Sequence, residues 1–168
     1  MSADATIRRL RSDDAAAFKS LRLEALTTNP ELLRSTFEAE DKLEVTWFAG
    51  RLEDATILGA FRNGELVGTA GFFIQQGQPN AHKGRLFTMY VRPSSRNHGV
   101  GRLLLSAVLD VAREKVELIQ LSVVRENGPA RRLYESAGFL EFGVEPKASK
   151  YGDKYYHEAL MALDFRKS

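Results

Sequence analysis

"RNHGVGRLLLSAVLDVA", Arg96 to Ala112, places two glycines one residue apart just ahead of an apolar run at helical spacing. Upstream, Arg85 to Val91 reads as a strand that stops at Pro93, so the stretch marks a strand–loop–helix junction. The first turn of a helix has amides without intrahelical partners and carries the positive end of the macrodipole, so anions bind there readily. Gly99 and Gly101 remove the Cβ atoms that would hold a ligand off those amides, and Arg96 adds charge. A diphosphate against the backbone is one use of this pattern. The other is a turn that only shapes the helix entry, with Arg96 in solvent. Neither common nucleotide loop fits: Gly101 is followed by Arg102 rather than Lys-Ser/Thr, and the third Rossmann glycine position holds Leu104.

Working outward, Thr6 to Leu10 is a strand candidate, and Ser12 and Asp13 offer caps for a helix through Ala25 that Asn29-Pro30 stops. Glu31 to Lys42 is acidic and irregular, and Leu43, Trp47, Phe48 and Leu52 then recur on one helical face. Ile57 to Arg62 and Glu65 to Ile74 flank Asn63-Gly64, the preferred pair for a two-residue hairpin turn. Past the glycine-rich turn, the helix to about Lys115 presents Val100, Leu103, Leu104, Ala107, Val108 and Val111 as its apolar face. Leu118 to Val124 reads as an interior strand, and Pro129 to Ala137 as a short helix ended by Gly138. Two last strands, near Phe139 to Val144 and Tyr155 to Asp164, are separated by a polar loop. The expected fold is α/β (α+β): a mixed, largely antiparallel sheet of about seven strands with about four helices.

At 168 residues the chain reads as one domain, 1–168, able to bury a sizeable core. Its 24 basic and 22 acidic side chains give a net charge of only +2, too little to argue for nucleic-acid binding. With no cysteine there is no disulfide framework, thiol nucleophile or cysteine-ligated metal, and His82, His98 and His157 lie too far apart for a metal set. No apolar run reaches the roughly 18 residues of a membrane span, and a cytoplasmic setting fits.

"VRPSSRNHGVGRLLL" resembles the acyl-coenzyme A-binding motif of the GNAT N-acetyltransferase superfamily, and "NGPARRLYESAGF", Asn127 to Phe139, resembles that family's next motif. Two motifs in order, joined by a helix and a strand, are far more specific than either alone. The resemblance implies transfer of acetyl from acetyl-CoA to a primary amine, on a small molecule or a peptide or protein N-terminus, with no metal. It implies that the backbone of Arg96, Asn97, His98, Gly99, Val100, Gly101 and Arg102 holds the diphosphate. The main chain of Met89, Tyr90 and Val91 then takes the pantetheine arm and acetyl carbonyl, Asn127 bonds the arm, and Tyr134 protonates the departing thiolate. Asn127 as a helix cap and Tyr134 as a core aromatic are the plainer alternatives.

An alkylammonium with a pKa near 10.4 must lose a proton before it attacks. Many family members carry a glutamate on the strand before the loop, but Arg85 to Val91 holds no carboxylate. Glu24, Glu38, Glu40, Glu141, His157 or a water relay remain as bases, although each side chain reads more readily as a solvated charge and none is singled out. His98 is expected in solvent, and Trp47 with Phe48 in the core. Glu31, Glu38, Glu40 and Asp41 either favour a cationic amine or form a plain solvated face. The missing base keeps a non-catalytic acyl-CoA sensor open as the rival. A homodimer would use Ile57 to Ile74 or the last two strands.

Overall fold

The computed structural model describes residues 4–166. Seven strands form one sheet in the order β1-β2-β3-β4-β5-β7-β6. In sequence these are β1 Thr6–Arg9, β2 Thr56–Arg62, β3 Glu65–Ile74, β4 Lys83–Val91, β5 Leu118–Val124, β6 Leu140–Tyr151 and β7 Lys154–Asp164. Only β4 and β5 run parallel; every other pairing is antiparallel. The helices are α1 Ala15–Thr28, α2 Phe37–Asp41, α3 Val45–Asp54, α4 Val100–Arg113 and α5 Gly128–Ser136.

Two apolar clusters lie on the two faces of the sheet. Phe18, Leu21, Phe48 and Leu52 from α1 and α3 pack with Ile57 and Tyr90 on one face. Leu104, Leu105 and Val108 of α4 pack with Ile119, Phe139 and Met161 on the other. Asn63 and Gly64 both take positive φ, 53° and 77°, as a primed hairpin turn requires.

The structure corrects four local expectations. The buried stripe of α4 is rotated: Leu105 and Leu109 are inside, while Leu103 is 41% exposed, because the run Leu103-Leu104-Leu105 is consistent with either phase. The acidic segment contains the short α2, capped by Thr36, whose hydroxyl accepts from the Ala39 amide at 3.1 Å. Trp47 is 41% exposed, whereas its neighbour Phe48 is fully buried. The polar stretch after Val144 is no loop: β6 continues to Tyr151 and pairs with β7 through Tyr151↔Lys154. Its residues show no apolar alternation because β6 is an edge strand, which also tolerates Pro146.

Candidate active site

β4 and β5 pair only from Lys83↔Leu118 to Arg85↔Gln120, then part. Beyond that point β4 bulges. Thr69 faces Tyr90 and Gly71 faces Phe87, so Thr88 and Met89 share one place opposite β3. Thr88 sits at φ 52°, a strained conformation for a β-branched residue, with a typical cost of about 1–3 kcal/mol. Its neighbours hold it there. The Thr69 hydroxyl donates to the Thr88 carbonyl at 2.8 Å, and Arg22 Nη1 donates to Thr88 Oγ1 at 2.9 Å. Arg22 is itself fixed by Glu40 through bonds of 2.7 and 2.6 Å, both side chains being buried. Burial opposes the charge on Glu40, but the Arg22 hydrogen bonds and charge, with Ser35 and Arg51, outweigh it and hold its carboxyl below the usual value.

The glycine-rich turn follows directly. Gly99, at φ 80°, is the N-cap of α4, and the first amide to close the helix is that of Leu103, to the Gly99 carbonyl at 3.0 Å. The amides of Val100, Gly101 and Arg102 therefore have no partner within the helix. Gly101 has no such conformational demand. A Cβ there would meet only Met89, Leu133 and Val91 side-chain atoms at 3.5–3.8 Å, ordinary contact, so the protein's own packing does not require glycine. Arg96 is not free in solvent: its Nε donates to the Val91 carbonyl at 2.8 Å and its guanidinium lies 5.5 Å from the Tyr90 ring centroid.

A cavity of about 1290 Å³ occupies the split between β4 and β5 and is lined from both faces of the sheet. On one side lie the turn from Arg96 to Arg102, Asn127 and Tyr134; on the other lie Arg22, Arg34, Arg51, Arg85 and Glu158. Asn127 Oδ1 accepts from the Ala130 amide at 3.3 Å and caps α5, so the capping role is real and leaves Nδ2 for the cavity. Tyr134 is 6% exposed and packs edge-on against Phe139 at 5.8 Å. Burial pushes its phenol above the ordinary 10.0. Among the described residues its hydroxyl has no protein hydrogen-bond partner.

Residues 18–139 match the family described as "Acetyltransferase (GNAT) family". The chain belongs to the GNAT acetyltransferase family. It is 33% identical over 149 residues to the mycothiol acetyltransferase of Brachybacterium faecium, covering 84% of this chain and 43% of that relative. The chain thus spans less than half the length of that protein. A GNAT-family acetyltransferase structure from Streptococcus pneumoniae superposes with a TM-score of 0.84 at 25% identity, covering 95% of this chain and 98% of that one. The YncA structure from Salmonella typhimurium, solved with its cofactor acetyl-CoA, shares the fold with a TM-score of 0.83 at 22% identity, over 98% and 96% of the two chains.

In this GNAT chain, Met89, Tyr90, Val91, Arg96, Asn97, Gly99, Val100, Gly101, Arg102, Asn127 and Tyr134 all line the one cavity. His98 does not; it is exposed, as expected. None of Glu24, Glu38, Glu40, Glu141 and His157 lines it. Glu24 is held by Arg92 at 3.1 Å and Glu141 by Arg131 at 2.9 Å. His157 Nδ1 accepts from the Lys147 amide at 3.0 Å. Glu40 is neither solvated nor available, being spent on Arg22. A cavity-lining carboxylate not singled out in the sequence is Glu158, one residue past His157 and 3% exposed. Strand alternation sends His157 and Glu158 to opposite faces, and Glu158 shares the cavity face with Tyr156. Among the described residues no helix is long and apolar enough to cross a membrane, and no cluster of His, Cys, Asp or Glu suits a metal.

Proposed function

We propose that the protein transfers acetyl from acetyl-CoA directly to a primary amine, with the coenzyme on the α4–α5 side of the sheet and the amine entering from the α1–α3 side. The observation that carries this reading is the cavity through the β4–β5 split, with unpaired first-turn amides of α4 on one side and a buried carboxylate, Glu158, on the other. The backbone of Arg96 to Arg102 holds the diphosphate, and Met89 to Val91 offers main chain to the arm and acetyl carbonyl. Asn127 Nδ2 reaches the arm while Oδ1 caps α5. The arriving ammonium loses a proton to Glu158, directly or through water, and the amine attacks the acetyl carbon. As the C–N bond forms and the C–S bond breaks, the electron pair goes to sulfur and Tyr134 meets it with a hydrogen bond and proton. A second proton leaves nitrogen, so one proton in total goes to solvent. The protein is read as a single catalytic domain in a cytoplasmic setting.

Calorimetry with acetyl-CoA tests the donor site, and thiol release across a panel of amines tests the chemistry. Absence of acetyl-CoA binding overturns the reading; binding without thiol release from any amine favours an acyl-CoA sensor on the same fold. Gly101→Ala gives a sharper check. The protein has room for the methyl group, and alanine is favoured over glycine in a helix by about 1 kcal/mol. Thermal stability should hold or rise while the dissociation constant for acetyl-CoA weakens about tenfold or more, equivalent to about 1.4 kcal/mol. Unchanged affinity would return Gly101 to a purely structural role.

A further inference from the structure

On the acceptor side of the cavity the charges do not balance. Arg22 is neutralised by Glu40, and Arg34 lies between Glu145 at 3.3 Å and Glu158 at 2.8 Å. Arg51 and Arg85 remain. Among the described residues neither guanidinium has a carboxylate within ion-pair distance. Arg85 Nη2 donates only to Ser122 Oγ, at 2.6 Å. Arg51 lies 5.2 Å from the Phe87 ring centroid and 5.3 Å from that of Trp47. Burial and a neighbouring arginine, Arg22 for Arg51 and Arg34 for Arg85, hold both below the ordinary arginine value. The other ionisable groups on this side include Glu31, half-buried and next to Asn29 Nδ2 at 3.5 Å, the exposed Lys154, and the Tyr156 phenol.

Arg51 and Arg85 are half-buried; a partly desolvated guanidinium without an anion is costly, and its forked donors match a carboxylate or a phosphorus oxyanion. The coenzyme's phosphates do not answer this need, since the turn that receives them lies on the opposite face of the sheet. A second unmet group lies nearby. Glu158 Oε1 is buried and, although Arg34 Nη2 is 2.8 Å away, makes no well-directed hydrogen bond. Ser122, where Arg85 is anchored, pairs with Leu160, two residues from Glu158. The two are diagonal neighbours roughly 7–8 Å apart.

Resting on the acetyltransferase reading above, we propose that the acceptor is a small amino-acid-like molecule: an amine with a carboxylate, phosphinate or phosphonate a few bonds away. Arg85 and Arg51 hold the acid group, and Glu158 Oε1 receives the nitrogen. Of the two sequence readings of the acidic residues between Glu31 and Asp41, this proposal does not use the one in which they select a cationic amine. Glu40 is consumed by Arg22, and the charge left in the cavity is positive.

The test uses ligand quartets on the CoA-loaded protein, each an amino acid, its aminophosphonic analogue, its amide and its decarboxylated amine. Leucine, alanine, glutamine and phenylalanine supply the side chains. Calorimetry gives affinity, and thiol release with acetyl-CoA gives kcat/KM. At least one quartet should show the acid or phosphonate about thirtyfold or more ahead of the amide and the amine. The better of the two identifies which oxyanion fits. R85Q and R51Q should each shrink that ratio about tenfold or more while the dissociation constant for acetyl-CoA, which also reports folding, stays unchanged. Amides or simple amines binding as well as the acids, no quartet binding at all, or an intact preference in both variants overturns the proposal. Failure of the parent protein to bind acetyl-CoA would instead overturn the acetyltransferase reading on which it rests.

Discussion

Glu40→Ala is expected to destabilise the fold by about 3–5 kcal/mol, because it leaves the Arg22 guanidinium buried without a counter-ion. The loss does not stop at the ion pair. Arg22 also bonds Thr88, whose positive φ shapes the bulge of β4 at the cavity. A released Arg22 lets Thr88 relax toward ordinary strand geometry and realigns Met89, Tyr90 and Val91. Two readouts should therefore fall together: the denaturant midpoint, and affinity for acetyl-CoA measured well below the new melting temperature. Glu40→Gln, which keeps an acceptor oxygen but not the charge, should fall between parent and alanine. The pH dependence has a defined sign. The folded carboxyl titrates below its ordinary 4.5, so its contribution is fully present above that value and is lost as pH falls through the folded value. The parent's stability should drop across that acidic window, and Glu40→Ala should show a flatter profile. A midpoint equal to the parent's at neutral pH would show that the pair and the bulge are independent.

The α4–α5 wall of the cavity, to which we assign the donor, was legible because it is local and made largely of backbone. A strand, a turn with Gly99 and Gly101, and a helix fix where unpaired amides point, whatever the neighbouring side chains are. Asn127 and Tyr134 follow within a similarly local pattern. The opposite wall, to which we assign the acceptor, was not legible. Its groups come from α1, the segment after it, α3, β4 and β7, and their state depends on pairings across long stretches of chain. Arg22 with Glu40 and Arg34 with Glu158 are invisible to spacing along the sequence. Glu158 had one readable signal: it follows His157 on a strand whose alternate residues Ala159 and Met161 are core, so it had to leave that face with Tyr156. The phase of α4 failed for a different reason, three consecutive leucines that suit two neighbouring stripes. The continuation of β6 failed because an edge strand with exposed faces carries no alternation.

Tyr134→Phe isolates a polar atom that the fold does not use. The ring packs on Phe139 and sits in the α4–α5 core, and phenylalanine preserves that packing. The hydroxyl has no protein partner among the described residues, so its removal should leave the melting temperature unchanged or slightly raised. Keeping an unpartnered hydroxyl at a cavity wall stabilises nothing in the free protein; it is useful when something in the cavity accepts from it. Burial holds the phenol protonated through the neutral range. A thiol titrates near about 8.5, so complete transfer from this phenol to a free thiolate is uphill. In the reaction proposed above, Tyr134 is therefore assigned to the stage at which charge develops on sulfur, donating a short hydrogen bond as the C–S bond stretches, with the proton following into the final thiol. Loss of such a donor lowers turnover by about 10²–10⁴. The expected pattern is a fall of that size in kcat, an unchanged dissociation constant for acetyl-CoA, and an unchanged or higher melting temperature. Turnover equal to the parent's would remove Tyr134 from the chemistry, and a lowered melting temperature would reveal a structural partner for its hydroxyl.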